Sequence, residues 1–381
     1  MHAITGPYQC AVITDVPGFT ALESEWNALH AASRGAYVSD SFDWARLCWD
    51  FIGDQPGRGL FCVVLRRHSQ LVAVWPLTVS RTGMWRLASA LTSQATEYCP
   101  FLVHPAADLH GVWTAICREF EGRGDVDALS LPYVREDSPL GRCLSKAAGS
   151  RRLYSLPVRF LRRAEFADWE SYFTHLPHNV QVHQRRDWRR LDLLGEAAFE
   201  DVSDPAERQA VWTWMVAKKR EWLVRRGLRS PSISSDSFAR FVARSLDVFA
   251  QGGRRRIFAL KLDGAVIAAE LVNVDRARVE LFVLTFDEAF ARCAPGNLLR
   301  EKVVAWAFER GLDYDWRLGD ESYKQIWANH VAQATSYVLP LTPRGKYFVR
   351  YAVARQRVAE RTPEPLRVRV ASILRGDRAL A

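Results

Sequence analysis

Five residues late in the chain could do acid–base chemistry together. They are Asp315, Asp320, Glu321, Tyr323 and Lys324, in the run DYDWRLGDESYKQIW. A carboxylate can take a proton from an incoming nucleophile, and a phenol can return one to a leaving group. A lysine ammonium can meet a developing negative charge or a phosphate as a point charge. The same residue types also make an ordinary solvated loop, so spacing alone leaves both readings open. Alternation along 312–318 predicts Asp313 and Asp315 on one face of a strand and Trp316 on the other.

The elements that must hold these groups lie just upstream. An apolar, β-branched run predicts a strand over 279–286, and the polar stretch 287–292 suits a crossing loop. Ala294-Pro295-Gly296-Asn297 then starts a helix, with Leu298, Leu299, Val303, Trp306 and Phe308 at helical spacing. Arg310-Gly311 closes it, and 312–318 returns as a second strand. The result is a βαβ unit. Its helix start, at Pro295, Gly296, Asn297 and Leu298, offers unpaired N–H groups and a positive dipole end to a phosphate or pyrophosphate. The turn is neither G-x-G-x-x-G nor a Walker A loop, so the pattern is equally that of a plain helix start.

A chain of 381 residues exceeds one ordinary core, so two domains are expected. A 48% hydrophobic share with 25% charged residues excludes a disordered chain. No apolar run reaches the roughly 18 residues of a membrane span. The N-terminus lacks the basic-then-apolar pattern of a secretory signal. Cys10, Cys48, Cys62, Cys99, Cys117, Cys143 and Cys293 occur singly, without zinc-type spacing. These features predict a cytoplasmic protein with no metal. The segments FCVVLRRHSQLVAVWPLTV (61–79) and IFALKLDGAVIAAELVNVD (257–275) both read as strand, polar turn, strand, and Asp263-Gly264 is a strong hairpin turn. They suggest two copies of one α/β unit. Single amphipathic helices are expected over 19–32 and 205–226, caps at Ser41 and at Asp236 or Ser235, and a short strand over 128–131 ending at Pro132.

The residues Asp287, Phe290, Pro295, Gly296, Leu299, Asp315, Gly319, Tyr323, Lys324 and Trp327 resemble the pattern of the BioF2-like acetyltransferases, the CelD/BcsL group. These are double-domain relatives of the GNAT N-acyltransferases and are akin to the FemABX aminoacyltransferases. Phe286 replaces the usual tyrosine and Ala294 the usual serine, so anion binding at the helix start would rest on backbone N–H groups. The resemblance covers about residues 10–340. It implies an α/β fold of two tandem GNAT-like domains, with mixed central sheets flanked by helices. The expected divisions are 1–150 for a degenerate N-terminal domain, 151–343 for the main domain, and 344–381 for a basic helical tail.

The resemblance also implies acetyl-CoA or another acyl-CoA as co-substrate, and acyl transfer to a small-molecule or lipid-linked sugar of polysaccharide synthesis. Lys324, Tyr323, Asp315 and Asp320 become the catalytic candidates. Glu97, in the Gln94–Tyr98 loop, matches an acidic-aromatic pair of the family and joins them as a group that binds or deprotonates the acceptor. Arg186, with Arg189 and Arg190, matches the family's arginine-rich helix. With Lys218, Lys219 and Arg220, it would hold phosphates. No cysteine or serine stands in a nucleophile arrangement, so transfer would be direct. Two alternatives remain, an aminoacyl-tRNA-dependent transferase, the one reading in which nucleic acid enters, and a non-catalytic assembly protein. The segment Arg344–Ala381 carries ten Arg/Lys against three acids. Its amphipathic helix over 347–358 either packs on the body or lies on an anionic membrane.

Overall fold

The computed structural model describes residues 8–92, 95–228, 230–250 and 252–361. β1 (Gln9–Ile13) leads into α1 (Val16–Thr20) and α2 (Glu23–Ala32). The single helix expected over 19–32 is thus two. Asp15 starts the first early, its carboxylate accepting from the Gly18 N–H at 2.8 Å with Pro17 in the opening turn. Ser41 caps α3 (Phe42–Cys48) as predicted. β2 (Arg58–Arg67), β3 (Gln70–Thr82) and β4 (Trp85–Ala90) form an antiparallel meander, and β5 (Leu102–Val103) adds beside β3.

α4 (Leu109–Arg123) then crosses to β6 (Ala128–Arg135), which pairs parallel to β4. β6 runs past Pro132. Its ladder with a later strand is irregular at that point, so the proline sits where regular pairing lapses. α5 (Pro139–Leu144) and β7 (Arg151–Leu161) complete this half.

The second half opens with α6 (Trp169–His175), α7 (His178–Asp192), β8 (Ala197–Asp201), α8 (Pro205–Arg225), α9 (Pro231–Ser234) and α10 (Asp236–Val248), the last capped by Ser235. β9 (Arg255–Leu262), β10 (Ala265–Val274) and β11 (Arg278–Phe286) form a second meander. α11 (Pro295–Glu309) crosses to β12 (Asp313–Leu318), parallel to β11. α12 (Ser322–Trp327), β13 (His330–Pro340) and α13 (Pro343–Arg361) follow. Both halves therefore have a meander, a crossover helix and a parallel strand.

All the strands share one mixed sheet, ordered β1-β2-β3-β4-β6-β13-β7-β12-β11-β10-β9-β8. Its centre is β13 and β7, neither anticipated from the sequence. The last strand of the second half lies beside β6 of the first, and the last strand of the first half lies beside β12 of the second. The core is shared as well. Trp44 of α3 packs edge-on against Phe241 of α10 at 5.3 Å, within one cluster that spans both halves.

Candidate active site

β11 and β12 pair over only three positions, from Arg278↔Asp313 to Glu280↔Asp315. Beyond these, β11 stays bonded to β10. A bulge at Phe282, where the register jumps from Val272↔Leu281 to Leu271↔Val283, bends it. The two strands separate, and a cavity of about 780 Å³ opens between them. That size suits a small-molecule site. Residues 281–286 of β11 form one wall. The other walls are Gly296, Asn297 and Arg300 of α11, Trp316 and Arg317 of β12, Glu321, Tyr323 and Lys324 around α12, and Lys219 and Trp222 of α8. The first half contributes Ala95, Thr96 and Glu97.

The start of α11 is built for close approach. Ala294 is left-handed at φ 47° and gives no side-chain cap, and a proline occupies the first turn. A Cβ at position 296 would lie 3.1 Å from Leu284 and 3.2 Å from Phe286, so only glycine lets the helix begin tight against β11. The Asn297 and Leu298 N–H groups donate to the Ala294 carbonyl. Pro295 has no N–H, which leaves Gly296 as the first-turn donor not committed to that carbonyl.

Charged groups converge on this opening. Lys324 is buried, and its Nζ donates to the Leu318 carbonyl and lies 3.0 Å from a Glu321 carboxylate oxygen. Tyr323 lies beneath the Arg300 guanidinium at 4.0 Å, and burial pushes its phenol up to about 12. Arg300 is 4% exposed. It donates to Asn297 Oδ1 at 2.7 Å, while its Nε has no partner among the described residues. Burial lowers the Lys219 ammonium from its ordinary value, and the group sits 4.7 Å from the Trp222 ring centre. Glu97 accepts from the Leu318 N–H at 2.8 Å and is 3.7 Å from Arg317 Nε.

Behind the cavity a buried polar chain crosses the sheet. Arg317, left-handed at φ 62°, lies 3.2 Å from Glu280. Glu280 accepts from Asn273 at 3.0 Å, and Asn273 accepts from Arg255 at 3.2 Å. Burial raises the Glu280 carboxyl to about 7 and lowers the Arg255 guanidinium to about 9.

Of the sequence candidates, Glu97, Gly296, Asn297, Tyr323 and Lys324 come together on the cavity wall. Pro295 and Leu298 are buried at the helix start and do not line it. Asp320 turns outward, bonded to Arg159 Nε at 2.7 Å and half exposed. Arg186 is engaged with Asp187 at 3.0 Å on α7. Lys218 pairs with Asp287 at 2.9 Å and Arg220 with Asp236 at 3.1 Å, so of that basic run only Lys219 reaches the cavity. Gln94 lies outside the described residues.

Asp315 is on the face opposite Trp316, but it is not part of the cavity wall. Its oxygens accept from Tyr37 OH and Tyr98 OH, both at 2.9 Å, from Arg135 at 3.2 Å and from the Arg317 N–H at 2.7 Å. Burial holds both phenols well above their ordinary pKa, so they remain donors. Arg300 and Trp222 were not anticipated. Arg300 follows Gly296 by one helical turn, the spacing that would have found it.

Residues 181–325 match the acetyltransferase (GNAT) domain family. The structure is similar to that of FemX at 12% identity and TM-score 0.62, covering 89% of this chain and 99% of that one. It is also similar to the C-terminal domain of a putative lysylphosphatidylglycerol synthetase from Agrobacterium fabrum, at 12% identity and TM-score 0.52, covering 88% and 96%. A tandem GNAT protein of the clavulanic acid biosynthesis pathway aligns at 14% identity and TM-score 0.50, covering 88% and 99%. No curated protein matches the sequence. The chain thus has a GNAT-type α/β fold across nearly its whole length, and its second half carries an acyltransferase domain. Among the described residues no helix is long and apolar enough to cross a membrane.

Proposed function

We propose that the protein transfers an acyl group from an acyl-CoA thioester to an amine or hydroxyl of a sugar or polysaccharide precursor. The single observation that carries the donor half of this reading is the opening between β11 and β12, with the start of α11 and the cations Lys219, Arg300 and Lys324 on its walls. Apolar residues 281–286 suit the uncharged arm and acyl chain of the donor, and the cations suit its phosphates. The CelD-like pattern of residues supports the sugar acceptor.

Glu97 enters the cavity from the first half and is the base that takes the acceptor's proton. Tyr323, neutral throughout the physiological range, returns a proton to the departing thiolate. Lys324, 3.0 Å from a Glu321 carboxylate oxygen, meets the negative charge that develops on the thioester oxygen. The test is turnover of acetyl-CoA with a panel of amino sugars, comparing wild type with Glu97→Gln. Slower turnover with acetyl-CoA binding unchanged supports the base, whereas unchanged turnover removes Glu97 from the mechanism.

The likeness to FemX favours one other reading, an aminoacyl group delivered from charged tRNA. The formal charge of +9 is compatible with it. Tight, salt-sensitive tRNA binding without acyl-CoA binding would select that reading.

A further inference from the structure

α13 has two apolar faces, and among the described residues only one is buried. Phe348 and Val349 are buried with Leu87, Ala128 and Val338, and Ala352 and Val353 pack beside them. On the opposite side Tyr347 is 64% exposed and Tyr351 43% exposed, with exposed Ala354 next in the stripe. Positions 347, 351 and 354 are i, i+4 and i+7, so they share one helical face. The apolar surface continues onto the β3–β4 turn. Trp85 stacks on Tyr351 at 5.5 Å, Arg344 donates to the Met84 carbonyl at 2.7 Å, and the Met84 side chain is 58% exposed.

The same face is strongly cationic. Pro343–Arg361 holds Arg344, Lys346, Arg350, Arg355, Arg357 and Arg361 against the single acid Glu360.

We propose that α13 and the β3–β4 turn form a docking surface for an anionic phospholipid bilayer. Met84 and Tyr347 enter the interface, and the arginines meet lipid phosphates. Exposed aliphatic and aromatic side chains inside a cationic rim fit a lipid surface. A nucleic acid would be matched by the charge but not by Met84. The proposal does not depend on the identity of the acyl donor.

The test is co-sedimentation of the full chain with vesicles of phosphatidylcholine, with and without phosphatidylglycerol. The expected result is binding to the anionic vesicles alone, weakened by salt. Arg350→Gln with Arg357→Gln, both exposed on α13, should weaken it about twenty-five-fold, about fivefold per arginine. Met84→Ser with Tyr347→Ser should release the protein from vesicles while leaving its melting temperature unchanged. Equal binding to neutral vesicles, no binding to either, or variants that bind as wild type would overturn the proposal. So would tRNA that binds more tightly than vesicles and is lost in the same variants.

Discussion

Replacing Asp315 with asparagine should loosen the seam between the two halves before it changes the chemistry. The carboxylate of Asp315 on β12 accepts from Tyr37, Tyr98 and Arg135, all of the first half. An amide keeps one acceptor oxygen and presents an NH₂ to the remaining donors. At least one charge-assisted hydrogen bond is lost, worth about 1.5–3 kcal/mol. The neighbouring Arg135 also loses a buried counter-charge, although Asp137 still holds it at 2.7 Å. Breaking a buried pair costs about 3–5 kcal/mol, and the surviving Asp137 contact puts the expectation at about 3 kcal/mol. At about 2.1 cal/mol/K per residue, a cooperative unit of 381 residues shifts about 1.3 °C per kcal/mol, so the melting temperature should fall by about 4 °C.

Tyr98→Phe should cost about 1 kcal/mol, and the double variant less than the sum, because the two act through one contact. The assay is thermal and urea unfolding of the four proteins, with turnover measured well below the transition. A melting temperature unchanged in Asp315→Asn, together with loss of turnover, would refute the brace and return Asp315 to acid–base chemistry.

Stability should also depend on pH through Glu270. Burial raises this carboxyl from 4.5 to about 7 while Tyr314 donates to it. The folded state therefore keeps a proton that the unfolded chain has released, and stability falls as pH rises from 4.5 towards 7. Glu270→Gln should remove this share, leaving stability unchanged at pH 4 and raising it by up to about 3 kcal/mol at pH 8, measured by urea unfolding at both values. Gly296→Ala should cost about 1–2 kcal/mol, since its Cβ must push back Leu284 and Phe286 by a few tenths of an ångström. The same variant should weaken acyl-CoA binding in calorimetry more than it lowers the melting temperature.

Much of the site's frame was legible because it is local. The strand, Pro-Gly helix start and returning strand from β11 to β12 follow from residues close together in sequence, as does the Asp263-Gly264 hairpin. β7 and β13 were not legible. β7 carries Arg151, Arg152, Ser155 and Pro157, and its ladder partners on β13 are distant, with Ser155 and Thr335 hydroxyls bonded at 2.6 Å across 180 positions. No window of local periodicity contains that information. Asp315 shows the same limit. Alternation put it on the correct face, but the groups across that face come from positions 37, 98 and 135. Lys324 differs because its anchors, the Leu318 carbonyl and Glu321, lie within one short stretch.

In the proposed function the opening between β11 and β12 binds an acyl-CoA and Lys324 acts on it. Calorimetric titration with acetyl-CoA and with a long-chain acyl-CoA, on wild type and on Lys324→Ala, tests this most directly. Wild type should bind at least one donor. Lys324→Ala should turn over about a hundredfold or more slowly, the scale of losing one charge-stabilising donor, whether or not it still binds. Wild-type protein that binds neither donor would contradict the acyl-CoA reading, and full activity in Lys324→Ala would contradict the role assigned to the lysine.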